Sequence, residues 1–192
     1  MLEDNNHNLW VGTRIGTVVK VDSSLTFATY YTHNTTDPNS LPDGTRTSSM
    51  YMDKYNRIWI GNDNGISIYD PVKKQFFNYF MDSLLNFGVT RRWVNGINED
   101  KLGNIWIAID AAGLLRVNMK TKDNFQFKLF NTANGLNSNI IGNIHIDKNK
   151  EFWFLNYGLV HFNPYDESSK LFDISNGLHR NINFDYRIYI DY

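Results

Sequence analysis

The chain has 192 residues, 42% of them hydrophobic, with a formal net charge of −1, no cysteine and a mean hydropathy of −0.44. That is enough apolar material for a core; it excludes disulfides and thiolate chemistry and disfavours nucleic-acid binding driven by phosphate neutralisation. No apolar run approaches the roughly 18 residues of a membrane helix, so direct membrane insertion is not expected, and the acidic start Met1-Leu2-Glu3-Asp4 does not read as a secretory signal peptide.

From the N-terminus, a short apolar stub ends at Asp4 and a turn leads to Leu9-Trp10-Val11. Gly16 then opens Val18-Val19-Lys20-Val21, and Phe27 to Tyr31 form an aromatic run. The same four segments return as Ser49 to Asp53, Ile58-Trp59-Ile60, Ile66-Ser67-Ile68-Tyr69 after Gly65, and Phe76 to Phe80. A third set comprises Asn95 to Asp100, Ile105-Trp106-Ile107, Leu114-Leu115-Arg116-Val117 after Gly113, and Phe125 to Phe130. A fourth comprises Asn143 to Asp147, Phe152-Trp153-Phe154, Leu159-Val160-His161-Phe162 after Gly158, and Leu171-Phe172. Tyr189-Ile190-Asp191 begins the pattern again.

Trp10, Trp59, Trp106 and Trp153 are separated by 49, 47 and 47 residues, and an aspartate stands six positions before each, at Asp4, Asp53, Asp100 and Asp147. A fixed period of this length marks a repeat architecture. Short runs rich in Ile, Val, Phe, Tyr and Trp, broken by Asn, Asp and Gly, read as strands and hairpins, and no sustained 3.6-residue period argues for helices. Between the first two strands, the aspartate should accept hydrogen bonds from amides two or three residues on, closing a tight turn. The expected fold is therefore all-β: a β-propeller of four-stranded antiparallel blades, four repeats in one domain spanning 1–192. The repeats run approximately over 1–45, 46–90, 91–137 and 138–181, with 182–192 as a closing strand that completes the first blade. Closure within one chain makes a four-blade ring, and closure between chains makes half of a larger dimeric ring; because open edges invite aggregation, a closed assembly, a homodimer, is expected.

The unit Glu99-Asp100-Lys101-Leu102-Gly103-Asn104-Ile105-Trp106-Ile107 followed by Gly113-Leu114, with its relatives Leu9-Trp10-Val11-Gly12-Thr13 and Ile58-Trp59-Ile60-Gly61, resembles the two-component regulator propeller repeat. Asn134-Gly135-Leu136 and Asn176-Gly177-Leu178 resemble the Gly-Leu linker that precedes the first strand in that family. The resemblance, to the sensor regions of Bacteroidetes hybrid two-component systems, implies a periplasmic location and a role in polysaccharide sensing, with a glycan or oligosaccharide as ligand. Those sensors carry larger propellers, a β-sandwich, a membrane span and a kinase. With four repeats and none of these, the chain reads as a fragment or a minimal relative, to which ligand sensing or dimer assembly carries over.

Loops between the second and third strands, and the crossing from one blade to the next, should share one face. That face would gather Arg14, Asn62, Asp63, Arg91, Arg92, Trp93, Asp110, Asn156, Tyr157 and Arg180. Trp93 lies outside the repeat phase and is the natural platform for a sugar ring, while arginine forks suit carboxylate or sulfate groups. The repeating Asp4/Trp10, Asp53/Trp59, Asp100/Trp106 and Asp147/Trp153 pairs read as structural, since a tryptophan at one strand position in every blade belongs to inter-blade core. No serine-nucleophile or phosphate-loop motif occurs. A glycosidase or lyase would need a carboxylate pair such as Asp63 and Asp110, so the chain is read as non-catalytic, with a purely structural self-association module as the alternative. His7, His33, His145, His161 and His179 show no paired metal-ligand spacing, and neither a metal nor a cofactor is expected.

Overall fold

Branched and aromatic runs broken at Asn, Asp and Gly fold into sixteen strands in the computed structural model, which describes residues 1–43, 46–80, 93–121, 124–155 and 158–178. The first blade is β1 (Leu2–Glu3), β2 (Leu9–Gly12), β3 (Val18–Val21) and β4 (Ala28–Tyr31). The second is β5 (Ser49–Met52), β6 (Ile58–Gly61), β7 (Gly65–Asp70) and β8 (Gln75–Phe80). The third is β9 (Val94–Glu99), β10 (Ile105–Ile109), β11 (Gly113–Thr121) and β12 (Asn124–Phe130), and the fourth is β13 (His145–Ile146), β14 (Phe152–Leu155), β15 (Leu159–Asn163) and β16 (Ser168–Phe172). Within each sheet the strands pair antiparallel in chain order, the meander of a propeller blade. The chain groups into two compact units, residues 1–94 and 95–192, with the boundary inside β9. The expected closing strand 182–192 lies outside the described residues.

One device shapes the first hairpin of every blade. The aspartate Oδ1 accepts from the amides of Asn6 and Asn8, Tyr55 and Arg57, Leu102 and Asn104, and Asn149 and Glu151. The bonded amides are thus two and four residues on, rather than two or three, because a residue of positive φ occupies the position between them: His7 at 60°, Asn56 at 61°, Gly103 at 81° and Lys150 at 62°. Oδ2 reaches across the hairpin to the indole Nε1 of the tryptophan, at 2.8 Å for Trp10, Trp59 and Trp106 and 3.1 Å for Trp153. A bond to a charged acceptor contributes about 1.5–3 kcal/mol, and here it also fixes the ring's direction.

Two of the rings so aimed, Trp10 and Trp106, fill the space between their own blade and the next. In residues 1–94, Trp10 stacks on Tyr31 at 5.5 Å and meets Tyr69 of β7 at 5.1 Å, while Tyr31 and Tyr69 share a hydroxyl bond of 3.2 Å. Burial and that bond together raise the Tyr31 phenol well above its usual range. In residues 95–192, Trp106 lies 5.3 Å from Phe130, 5.2 Å from Phe152 and 5.4 Å from Phe162. Leu41 in the first unit and Leu136 in the second, each on a linker between blades, are buried in the same clusters.

Gly113 opens β11 at φ +112°, where an added Cβ would lie 2.1 Å from the Phe130 carbonyl oxygen of β12. Gly113→Ala must therefore push two strands apart, and a loss of about 2 kcal/mol or more is expected. Gly135→Ala, at φ +116° with nothing within 4 Å, carries only the conformational cost, about 1 kcal/mol. Urea midpoints of the two variants check the difference; equal midpoints would refute the steric account.

Candidate functional site

Trp93 precedes β9 and stands 49% exposed, yet the backbone beside it is held firmly. Val94 is fully buried against Gly61, where even a methyl group would come within 2.4 Å of its Cγ1. The Ser48 hydroxyl donates to the Val94 carbonyl at 2.6 Å, and the Ser48 amide donates to the Gly61 carbonyl at 2.9 Å. A glycine at the end of β6 thus lets the chain of the next repeat approach closely, and the indole projects from a rigid base.

Arg46 lies with its guanidinium carbon 4.8 Å from the Trp93 ring centroid, a cation–π distance. Its own backbone is fixed by Asp63, whose Oδ1 accepts the Arg46 amide at 3.0 Å. Asp63 sits on the loop between β6 and β7, so that loop, the segment before β5 and the segment before β9 converge. The result is an exposed aromatic face, a planar cation beside it and a half-buried carboxylate behind. Arg46 is a residue that sequence reasoning misses: it belongs to no repeat motif, and only the approach of β5 to the β6–β7 loop brings it to Trp93.

The remaining expected positions divide. Asn62 is buried; its Oδ1 accepts the Asn64 amide at 2.9 Å and its Nδ2 points to the Ser67 hydroxyl at 3.4 Å, so it closes its own loop and presents nothing to a ligand. Arg14 is exposed on the β2–β3 loop, whose Thr13 carbonyl accepts the Thr47 amide at 3.1 Å. Asp110 is half-buried on the β10–β11 loop in the second unit. Arg91, Arg92, Asn156, Tyr157 and Arg180 lie outside the described residues.

The aspartates of the repeat act through hydrogen bonds already described. At Asp4, burial acts to raise the pKa, but bonds from Trp10, from the Asn8 side chain and amide and from the Asn6 amide outweigh it and lower it overall. In the second unit, β11 and β12 form a shallow concavity of about 510 Å³ lined by Arg116, Asn118, Lys120, Gln126 and Lys128. Its two inner cations already hold Glu167, at 2.9 Å from Arg116 and 2.6 Å from Lys128, and the Lys128 bond leads in lowering the Glu167 pKa. The carboxylate that fits there is the chain's own.

Residues 40–64, from the linker before β5 through the β6–β7 loop, match the two-component regulator propeller family. Over 184 residues the chain is 26% identical to histidine kinase P4 of Formosa agariphila, covering 92% of this chain and 13% of that protein. The extracellular domain of a hybrid two-component system of B. thetaiotaomicron superposes with a TM-score of 0.69 at 24% identity, over 88% of this chain and 24% of that one. Virginiamycin B lyase of Staphylococcus aureus superposes with a TM-score of 0.68 at 14% identity, over 92% of this chain and 55% of that one. The two superpositions establish the propeller-type fold, and the chain spans only a small part of the histidine kinase and of the two-component extracellular domain it is similar to. No helix among the described residues is long and apolar enough to cross a membrane.

Proposed function

We propose that the chain is a non-catalytic, ligand-binding part of a sensor propeller that acts outside the cytoplasmic membrane, as in the extracellular domain with which it superposes. The bound molecule on this reading is a glycan or oligosaccharide with an acidic group. The observation that carries it is the pairing of an exposed, rigidly mounted Trp93 with Arg46 at 4.8 Å. An indole face packs against the apolar face of a sugar ring, and the adjacent planar fork binds a carboxylate or sulfate in two parallel bonds. Loop residues held by a strand scaffold are where binding residues concentrate, and Asp63 contributes by fixing Arg46 rather than by acid–base chemistry.

A panel of neutral and acidic oligosaccharides, titrated against the whole chain by calorimetry, tests the reading. Binding of an acidic member is expected to weaken at least tenfold in Trp93→Ala and again in Arg46→Ala, about 1.4 kcal/mol for each factor of ten. Unchanged affinity in Trp93→Ala would sink the site. Silence across the panel would leave self-association as the role of the fold.

A further inference from the structure

The four blades use the same aspartate turn, but the fourth fills it with opposite chemistry. In the first three blades, the residue four positions after the aspartate supplies a donor to its carboxylate. Asn8 Nδ2 donates to Asp4 at 3.0 Å, Arg57 Nε to Asp53 at 2.7 Å and Asn104 Nδ2 to Asp100 at 2.8 Å. In the fourth blade that position is Glu151, a second carboxylate. Opposite Trp153 on β15, where the first three blades carry Lys20, Ile68 and Arg116, stands His161. One acceptor atom each from Asp147, Glu151 and His161 lies within 4.8 Å of the others.

From this exchange we infer that Asp147, Glu151 and His161 form a binding site for a divalent transition-metal ion of the zinc type. The donor set of one imidazole nitrogen and two carboxylate oxygens suits such an ion, and its charge balances the two carboxylates. Asp147 Oδ1 is occupied by the amides of Asn149 and Glu151, and Oδ2 accepts only the Trp153 indole among the described residues. The Oδ2 lone pair that Asn8, Arg57 and Asn104 cover in the other blades is therefore open to a cation. His161 Nε2 and Glu151 Oε2 face each other at 2.7 Å, with side chains 26% and 23% exposed, so an ion can reach them. Donors on one tetrahedral zinc stand about 3.3 Å apart, so metal entry replaces the hydrogen bond of that pair and opens it by a few tenths of an ångström. Water completes the shell. The imidazole is steadied from behind by Trp153, 4.5 Å away ring to ring. The ion would tie the β13–β14 turn to β15, a clip made by one blade alone.

Calorimetric titration of the metal-free whole chain with zinc chloride is the test, with calcium and magnesium chloride as controls. The expected result is one zinc bound per chain in the micromolar range, a melting temperature raised by several degrees, and little heat from calcium or magnesium. Glu151→Asn, which installs the amide that the first and third blades carry, should fold normally and weaken zinc binding at least thirtyfold; His161→Ala should do the same. Absence of zinc binding to the unmodified chain would overturn the site. So would binding that persists in both variants, which would place zinc elsewhere, as at the exposed His7–Glu3 pair, 2.6 Å apart.

Discussion

Replacing Asp53 by alanine should cost the first unit about 3–5 kcal/mol, the range for removing one partner of a buried ion pair, and most of a small domain's stability. Asp53 and Arg57 are both sequestered from water, with Arg57 Nη2 2.6 Å and Nε 2.7 Å from Oδ2. The same carboxylate receives the Trp59 indole at 2.8 Å and the amides of Tyr55 and Arg57 at 2.9 and 3.0 Å. Alanine would remove the carboxylate that holds the Arg57 guanidinium, take the acceptor from the Trp59 indole and release the turn at Asn56. Asp4→Ala is the comparison, because Asp4 is only partly buried and its side-chain donors are Asn8 and Trp10, both neutral. Its cost should be nearer 1–2 kcal/mol. Urea unfolding followed by tryptophan fluorescence and by amide exchange in β5 and β6 measures both. Equal effects of the two substitutions would show that burial of the charge pair does not set the scale.

Trp106→Ala carries the second large effect, about 3–5 kcal/mol in residues 95–192. The ring is wholly enclosed by Phe130, Phe152 and Phe162, the last two contributed by the following blade, and Arg116 lies over it at 5.7 Å. Its loss opens a cavity between two sheets that cannot collapse without moving both, and leaves Asp100 one donor short. Trp106→Phe keeps much of the ring and loses the N–H, so its cost should approach the bond alone, about 1.5–3 kcal/mol. At Trp153, half-buried beside His161 and Phe172, the alanine substitution should cost less than at Trp106. A reversed order of the two alanine variants would refute inter-blade packing as the main role of Trp106.

The period of the tryptophans makes the fold legible, because a residue that must sit at one strand position in every blade leaves a regular trace. The aspartate six residues earlier is legible for the same reason, and its turn differs from the expectation only in which amides it holds. The site is far less so. Trp93 stands out by being out of phase, but Arg46 becomes its partner only through tertiary approach. Asn62 reads as a loop polar residue and is in fact consumed by its loop. Asp147, Glu151 and His161 escape a search for metal spacing because four and fourteen residues separate them from the first, distances that only a hairpin and its third strand convert into proximity. Comparing the four copies of the turn, position by position, would have revealed the change from donor to carboxylate at Glu151.

Trp10 and Trp106 finish their packing on the following blade, the first on Tyr69 and the second on Phe152 and Phe162. The first and third sheets therefore export part of their apolar surface to a successor, so neither can bury its indole by itself and each pair of sheets shares one core. Duplication or deletion by such pairs, about 94 residues at the period of this repeat, preserves a receiving wall for an indole of the Trp10 or Trp106 kind. Removal of the second sheet of such a pair strands an indole, whereas the hairpin between the third and fourth strands can lengthen freely, as Gly113–Thr121 and Asn124–Phe130 do while Trp106 stays enclosed.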